Sequence, residues 1–505
     1  MRIPGRGLLS VAVTVLVLAL GASAGLAQGS AKGQVYRAYL HAKAADQARQ
    51  ARMDARAHTR SSARPAGRSS TSRASATAKD VEQIAEDSLK GHGGEKDTQV
   101  EPDMAMDPNN EDNLVAVMQQ GRYRSGASVD PGFSASLDGG QTWTDGNLPG
   151  LTVAVGGPFR RASDPTVIFG PDHTVYASTI ALSFTHCLSA VSVQSSNDGG
   201  LHWNDPEFPE NDATCDIFND KNWLGVDTNP ASPFFGRLYL VWSQFTPTAS
   251  PAVLRYSDDE GQTWSDLIYA SSQSTESEGL LPLIQSNGDL TIVYDQTIGA
   301  QDFEVSQTSH DGGLTFDPPV TVGEFLGAGD PGMRTGGLPA ATIDPTNDAM
   351  YAVWQDTRFR TDGHNDIVIS ESSTGGSSWT APARVNGPNP QGQILDHFTP
   401  DVAAYSGTVH VTYRTRDLAG KQPSNLVDQR YIVSTDGGAT FGGELVLGPP
   451  ADLKYAAVAY PHRAFLGDYS GVVANGDVAH AVWCVSLYQH KARFHQTTWS
   501  ATITP

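Results

Sequence analysis

A short motif recurs six times between residues 136 and 441. Each copy starts with Ser, has Gly at its fifth position and ends with Trp or Phe at its eighth; the third position is Asp in all but one copy. The copies occupy residues 136–143, 196–203, 257–264, 309–316, 372–379 and 434–441. Their third residues lie 52 to 63 positions apart. Regular spacing of this kind predicts a repeat architecture.

Each motif lies between strand-like runs, which predicts a tight turn. Glycine supplies the positive φ angles that such a hairpin needs. The Asp carboxylate can accept hydrogen bonds from backbone N–H groups of its own turn. The aromatic residue is expected to enter an apolar layer. Thr374 replaces Asp in the fifth copy, which favours a structural role for this position over a catalytic one.

These six motifs resemble the Asp-box pattern S-x-D-x-G-x-T-W of sialidases and related β-propellers, and the resemblance covers residues 99–505. The resemblance implies an all-β domain, a single β-propeller of four-stranded blades. Asp-box propellers include both glycoside hydrolases and non-catalytic proteins, so the motif predicts the fold and leaves the activity open.

Short β-rich runs bounded by turn residues occur around each motif. The fifth unit, for example, predicts strands at 340–343, 350–354 and 366–370. A further unit over 465–499 lacks the motif, so we count seven blades. Its missing fourth strand is expected from the segment before Glu101, which would close the ring. Six blades is the alternative, because known sialidases have six.

The N-terminal region differs in composition from the rest. Residues 1–24 combine Arg2 and Arg6 with an apolar run and a small-residue end, which predicts a secretory signal peptide. Residues 25–98 are rich in Ala, Arg and Ser, which predicts a disordered basic linker or pro-segment; a weak helix near 35–60 is the alternative there. No later stretch is apolar enough to span a membrane. We expect a secreted, extracellular monomer.

Charge and motifs exclude several classes of function. After residue 80 the chain has 52 acidic and 21 basic residues, which argues against nucleic acid as a partner. No cofactor fingerprint or zinc-ligand spacing is present, so we predict neither cofactor nor metal. The acidic run at 107–112 could hold Ca²⁺, but it lacks EF-hand spacing and a plain turn is favoured. Cys187 and Cys215 fall in loops and could pair, whereas Cys484 lies in a strand-like run.

The arginines are unevenly placed. The motif turns all join strand 3 to strand 4, so they share one face of a propeller. Ten of the fifteen arginines after residue 80 map to loops of the opposite face. They are Arg122, Arg124, Arg160, Arg161, Arg334, Arg358, Arg360, Arg414, Arg416 and Arg463. Because guanidinium groups bind carboxylates through paired N–H donors, this cluster predicts a site for an anionic ligand.

The sialidase resemblance implies particular roles. Sialidases place three arginines on the sugar carboxylate, and Arg334, Arg358 and Arg414 are the candidates here; Arg416, Arg463 and Asp468 are further substrate-binding candidates. Tyr469 begins a segment similar to the family's nucleophile segment, and Asp164 or Asp103 would be the acid/base. The family's Arg-Ile-Pro motif occurs only at residues 2–4, inside the predicted signal peptide.

The leading functional hypothesis is a sialidase-like glycoside hydrolase that acts on extracellular, anionic glycans from the arginine-bearing face. A second hypothesis is a non-catalytic propeller that binds a glycan or a protein at that face. A third is a hydrolase of neutral polysaccharides that uses a pair of carboxyl groups, as most glycosidases do.

Overall fold

The computed structural model describes residues 36–57, 76–89, 93–420, 422–476 and 478–505. The predicted signal peptide at 1–24 lies outside the described residues. Two elements precede the repeats, α1 (Arg37–Ala57) and β1 (Thr77–Gln83). Helix α1 corresponds to the alternative of a helix near 35–60, and both stretches have secondary structure where a disordered segment was the first expectation. Their own composition is a poor guide, because both are ordered by partners far along the chain.

Antiparallel strands follow in groups of four. The first two groups are β2 (Gln99–Asp107), β3 (Asn110–Arg122), β4 (Ser128–Ser136) and β5 (Thr144–Asn147), then β6 (Arg161–Phe169), β7 (Val175–Ser183), β8 (Leu188–Ser196) and β9 (Glu207–Asp212). A short 3₁₀ turn, Phe184–His186, lies between β7 and β8. One residue pair, Ser128 with Ala162, joins these two groups into a single sheet.

The next groups repeat the pattern. They are β10 (Phe218–Val226), β11 (Leu238–Phe245), β12 (Ala252–Ser257) and β13 (Ile268–Tyr269), then β14 (Glu276–Ile284), β15 (Leu290–Ile298), β16 (Gln301–Ser309) and β17 (Val320–Phe325). After β18 (Met333–Arg334) come β19 (Ala340–Ile343), β20 (Met350–Asp356), β21 (Asp366–Ser372) and β22 (Ala383–Arg384). The strands predicted for this fifth unit are confirmed.

The C-terminal part completes the set. It contains β23 (Leu395–Tyr405), β24 (Thr408–Asp417), β25 (Leu426–Ser434) and β26 (Gly442–Asp452), then β27 (Ala457–Ala459) and β28 (Arg463–Phe465), which form a small sheet with β18, and finally β29 (Gly471–Asn475), β30 (Val478–Ser486) and β31 (Gln496–Thr504). The last group has the order β1-β31-β30-β29. The expected contribution of a strand from before Glu101 is confirmed by the pairing of β1 with β31.

The first strands of successive groups contact one another in turn. β2 contacts β6, β6 contacts β10, and the series continues through β14, β19, β23 and β29 back to β2. In the described chain this closed series of contacts between four-stranded groups is what the β-propeller fold requires. The predicted all-β class is confirmed.

Apolar side chains fill the spaces between neighbouring sheets. Trp242, Trp354 and Trp483 are each almost completely buried. Trp242 of β11, for example, packs with Tyr176 and Val193 of the preceding group. A four-stranded sheet cannot bury both of its faces alone, so each group depends on the next for its core.

The recurring motif forms the turns between the third and fourth strands of its groups. In the first copy the Asp138 carboxylate accepts hydrogen bonds from the Thr142 backbone N–H at 2.9 Å and its hydroxyl at 2.7 Å. Along β4, Ser128 and the motif's Ser136 are separated by eight residues, or roughly 26 Å of extended chain. Loops near Ser128 and the motif turns therefore lie at opposite ends of the same strands.

Candidate active site

A small cavity lies at the end of the channel opposite the motif turns. It has a volume of about 130 Å³ and is lined by residues from the first four groups together with Arg334, Asp468 and α1. Its ionisable residues include Glu101, Asp164, Asp220, Lys221 and Glu278. Acidic and basic groups from distant parts of the chain therefore meet at the channel mouth.

A backbone irregularity in the innermost strands positions these groups. The register shifts between Val100 and Asp103 in β2, and equivalent shifts occur in β6, β10 and β14. Glu101, Asp164 and Lys221 at these bulges have positive φ angles of 54°, 49° and 53°. Bulges re-aim side chains near active sites, and strained non-glycine residues cluster at functional sites. The three charged residues are thus turned towards the channel mouth by the same device.

Asp164 and Asp220 accept hydrogen bonds from the same backbone N–H group in the cavity. The Lys221 backbone N–H donates to Asp164 Oδ2 at 3.3 Å and to Asp220 Oδ1 at 3.1 Å. Burial, followed by the charges of Asp164 and Glu278, raises the pKa of Asp220 well above its ordinary value, and the hydrogen bond that joins the two carboxyls acts in the same direction. Burial and the neighbouring carboxyl groups therefore favour the protonated form of Asp220.

Two glutamates extend this acidic cluster. Burial, with the charges of Asp164 and Asp468, raises the pKa of Glu101 to about 8. Its carboxylate accepts hydrogen bonds from the Gln119 amide and, at 3.3 Å, from the Asp468 backbone N–H. Burial also raises the pKa of Glu278 to about 7, against the opposing charge of Arg49.

Asp468 has the opposite character. Burial opposes its ionisation, but the charges of Arg334 and Lys221 outweigh burial and hold the pKa of Asp468 below its ordinary value. Arg334 donates to both carboxylate oxygens, at 3.1 and 2.6 Å. The cavity therefore contains carboxyl groups whose pKa values are raised and one whose pKa is lowered. Such separation is the pattern of acid and base pairs in enzymes.

The catalytic and substrate-binding residues predicted from the sequence have different positions. Asp164 and Asp468 line the cavity, as does Arg334. Asp103 instead accepts a hydrogen bond at 2.8 Å from the backbone N–H of Val167 in the next group. It is 7% exposed, and burial raises its pKa to about 7. Asp103 thus connects neighbouring sheets, which is a structural role.

Tyr469 is a buried residue that does not line the cavity. Its hydroxyl donates to the backbone oxygen of Pro165 at 3.1 Å, and burial raises its pKa well above the ordinary value. The Lys221 ammonium lies 4.3 Å from the centre of its ring, and Trp223 packs edge-on at 5.5 Å. The phenol is therefore neutral and hydrogen-bonded away from the cavity.

The expected arginine triad is not assembled in one pocket. Arg358 binds Asp356 at 2.7 Å. Arg414 is 2% exposed and donates to the backbone oxygens of Gly467 and Leu466 at 3.0 and 2.8 Å. Neither lines the cavity that Arg334 lines. Both are committed to ion pairs or backbone groups, because a buried guanidinium needs several acceptors of its own.

The two further arginine candidates are also engaged elsewhere. Arg416 binds the buried carboxylate of Asp330 and the Pro331 backbone oxygen. Arg463 binds Asp54 of α1, with its shorter contact at 2.5 Å. Arg416 is therefore structural, whereas Arg463 faces the helix.

Four further cavity residues, Glu101, Asp220, Lys221 and Glu278, were not selected from the sequence as site residues. A signal for them exists, because each lies at or next to the bulge of an innermost strand. The acidic run at 107–112 forms a turn in which Asp107 binds His173 at 2.6 Å. Among the described residues, no group of three or more His, Cys, Asp or Glu side chains is arranged to hold a metal ion.

Two further sequence questions are answered by the structure. Cys187 and Cys215 form a disulfide, and Cys484 is a buried free thiol. In the described part of the chain, no helix has the length and apolar character needed to cross a bilayer.

The fold and the cavity define a β-propeller-like protein with an acidic site at its channel mouth. No protein-family model matches the chain, and no curated protein matches it. A solved structure of a protein of unknown function from Dyadobacter fermentans is similar, with 15% identity, a TM-score of 0.43 and coverage of 84% of this chain and 99% of that one.

Two named glycosidases are among the other similar structures. The Penicillium chrysogenum α-L-arabinanase has 13% identity and a TM-score of 0.46, covering 67% of this chain and 94% of its own. The Hadza microbial sialidase Hz136 has 17% identity and a TM-score of 0.43, covering 63% of each chain. Similarity at this level says nothing about the reaction.

Proposed function

We propose that the protein is a glycoside hydrolase that uses carboxyl groups of the channel-mouth cavity. The observation that carries the proposal is the contrast between Asp220, whose pKa is raised, and Asp468, whose pKa is lowered, in one cavity. Glycosidases commonly need one protonated carboxyl to donate to the leaving oxygen and one carboxylate on the other side of the bond.

In this mechanism Asp220 is the general acid. Asp164 accepts a hydrogen bond from the protonated carboxyl of Asp220 and so positions that carboxyl. The Lys221 backbone N–H donates to both carboxyl groups and holds them next to each other. As the glycosidic bond breaks, the proton of Asp220 passes to the departing sugar oxygen. Asp468 is the ionised carboxylate that takes a proton from the attacking water.

A sialidase-type mechanism, which the sequence predicts, receives less support from this geometry. It needs an ionisable tyrosine and an arginine clamp, whereas Tyr469 is a buried neutral phenol and only Arg334 of the predicted triad lines the cavity. Of the three hypotheses from the sequence, hydrolysis by a carboxyl pair fits best. Export to the extracellular space stays a prediction.

The experiment compares Asp220→Asn with Tyr469→Phe in the full-length chain, on a panel of aryl glycosides and polysaccharides. A substrate with a poor leaving group needs the general acid, so on such a substrate Asp220→Asn should have a kcat/KM about 10²–10⁴-fold below wild type. A dinitrophenyl glycoside of the same sugar needs little protonation of its leaving group, so on this substrate the loss of kcat/KM in Asp220→Asn should be far smaller. Tyr469→Phe should stay within a few-fold of wild type.

Other results would redirect the assignment. Loss of activity in Tyr469→Phe with activity retained in Asp220→Asn would indicate a tyrosine nucleophile. Saturable glycan binding with no turnover by any form would indicate a binding protein.

A further inference from the structure

Helix α1 lies across the mouth of the candidate active site. Tyr39, Asp46 and Gln47 from the helix line the same cavity as Asp164 and Asp220. Near its start, Ala38 is fully buried and its backbone N–H bonds Cys215. Near its end, Met53 is fully buried in the core below β17 and β20. The helix therefore spans the channel mouth and is fastened at both sides.

Basic residues of the helix attach it to acids of the fourth group. Arg49 is 5% exposed and forms a two-point ion pair with Asp295, at 2.5 and 3.0 Å. Arg52 does the same with Asp302, at 2.9 and 2.6 Å. Two-point guanidinium–carboxylate pairs are specific in geometry. The docking is therefore a defined contact rather than a loose association.

Acidic residues of the same helix contact the arginines at the mouth. Asp46 binds Arg334 at 3.2 Å, although both oxygens of Asp468 already bind that guanidinium. Asp54 binds Arg463 at 2.5 Å. The helix carboxylates thus occupy positions that were predicted, from the sequence, to receive an anionic ligand.

The cavity is small while α1 is docked. About 130 Å³ is enclosed while the helix is in place, whereas sites for small organic ligands usually have at least about 300 Å³. A sugar ring with its neighbour therefore needs the space that the helix residues fill. The residues that α1 contributes to the lining are not part of any sheet.

We propose that α1 is a self-inhibitory cap and that Asp46 stands where a carboxylate of the substrate binds Arg334. This inference rests on the proposed function and adds to it a substrate class, acidic glycans such as uronate-containing chains. The substrate reaches the carboxyl groups only after α1 leaves, and an acidic sugar competes directly with Asp46.

Two kinds of variant release the cap in the full-length protein. Arg49→Glu with Arg52→Glu places like charges against Asp295 and Asp302. Gly329→Leu acts from the other side, because a Cβ at Gly329 would lie 2.5 Å from Asp54 Oδ1 and 2.8 Å from Gln50 Nε2. Arg237→Glu is the matched control, since Arg237 forms a two-point ion pair with Asp258 and neither residue lies on the helix or lines the cavity.

The readout is binding of trigalacturonate by calorimetry, with cellotriose as the neutral probe. Both released forms should bind trigalacturonate at least tenfold more tightly than wild type, and Arg237→Glu should stay within twofold. In wild type, trigalacturonate should speed amide hydrogen exchange across 37–57, and cellotriose should not. Circular dichroism and urea unfolding establish that each variant is folded.

Equal affinity of wild type and both released variants would overturn the cap. Preference for cellotriose over trigalacturonate in the released forms would overturn the acidic substrate class. If the released forms bind trigalacturonate tightly yet cleave nothing on the glycoside panel, the cap stands and the hydrolase assignment falls.

Discussion

Arg334 donates two hydrogen bonds to the carboxylate of Asp468, at 3.1 and 2.6 Å. The two residues are 134 positions apart and meet at the channel mouth. Burial alone would favour the protonated acid, so the guanidinium is what keeps Asp468 ionised. The ion pair thus determines which carboxyl of the cavity can act as a base.

The first prediction concerns this pair. In Arg334→Gln, Asp468 loses its main stabilising charge and its pKa rises. If the ionised form of Asp468 is required, the acidic limb of the kcat/KM profile moves to higher pH by at least about one unit. Arg334→Gln also frees Asp46 and can therefore change the size of kcat/KM. For this reason the readout is the pH at which the acidic limb falls and not the rate itself. Arg237→Gln, whose partner Asp258 lies outside the site, should leave the limb in place.

A second prediction links Asp103 to pH-dependent stability. Its folded-state pKa is raised to about 7 from 3.8. The folded protein therefore holds a proton that the unfolded chain releases between about pH 4 and pH 7, and the corresponding stability falls as pH rises through this range. In wild type, the free energy of unfolding measured in urea should decrease from pH 5 to pH 7. In Asp103→Asn this decrease should be smaller than in wild type by about 1–2 kcal/mol. Equal decreases in both forms would contradict the assigned pKa.

The third prediction concerns the one motif that lacks Asp. The Thr374 hydroxyl accepts from the Ser378 backbone N–H at 3.0 Å, whereas Asp138 in the first motif accepts from several donors at once. Thr374→Asp should add such hydrogen bonds and raise the unfolding midpoint by about 1–2 °C. Activity should not change, because the turn lies at the opposite end of the strands. A lower midpoint would indicate that this turn differs from the others.

A fourth prediction concerns the disulfide. Cys187 and Cys215 are 28 residues apart, and closing a loop of this size stabilises a protein by about 2–4 kcal/mol. The double change to Ser should lower the free energy of unfolding by this amount. Because Tyr36 and Ala38 pack against the disulfide region, hydrogen exchange near the start of α1 should also become faster. Unchanged exchange there would show that the disulfide does not support the cap.

Part of the fold follows directly from local sequence. The motif turns depend on glycine φ angles and on hydrogen bonds within eight residues, so they are readable without tertiary information. The strands of the fifth unit, such as Met350–Asp356, follow from their β-branched and aromatic content. The closing strand β1 was expected only as a region, because its partner β31 is more than 400 residues away.

The site was much less predictable. Asp164, Asp468 and Arg334, which the sequence suggests as site residues, line one cavity, whereas Arg358 and Arg414 do not. A loop arginine looks the same in sequence whether it faces solvent or, like Arg414, satisfies buried backbone oxygens. The difference lies in acceptors contributed by distant segments.

The amino-acid sequence by itself determined the repeated unit and its turns, because these depend on contacts within about sixty residues. It also determined the acidic character of the chain, which follows from composition alone. Tertiary structure decided which carboxyl groups share one cavity, what their pKa values become and where α1 docks. The physical reason is that burial and charge proximity act between side chains such as Asp220 and Asp468, which only the closed ring of sheets brings together.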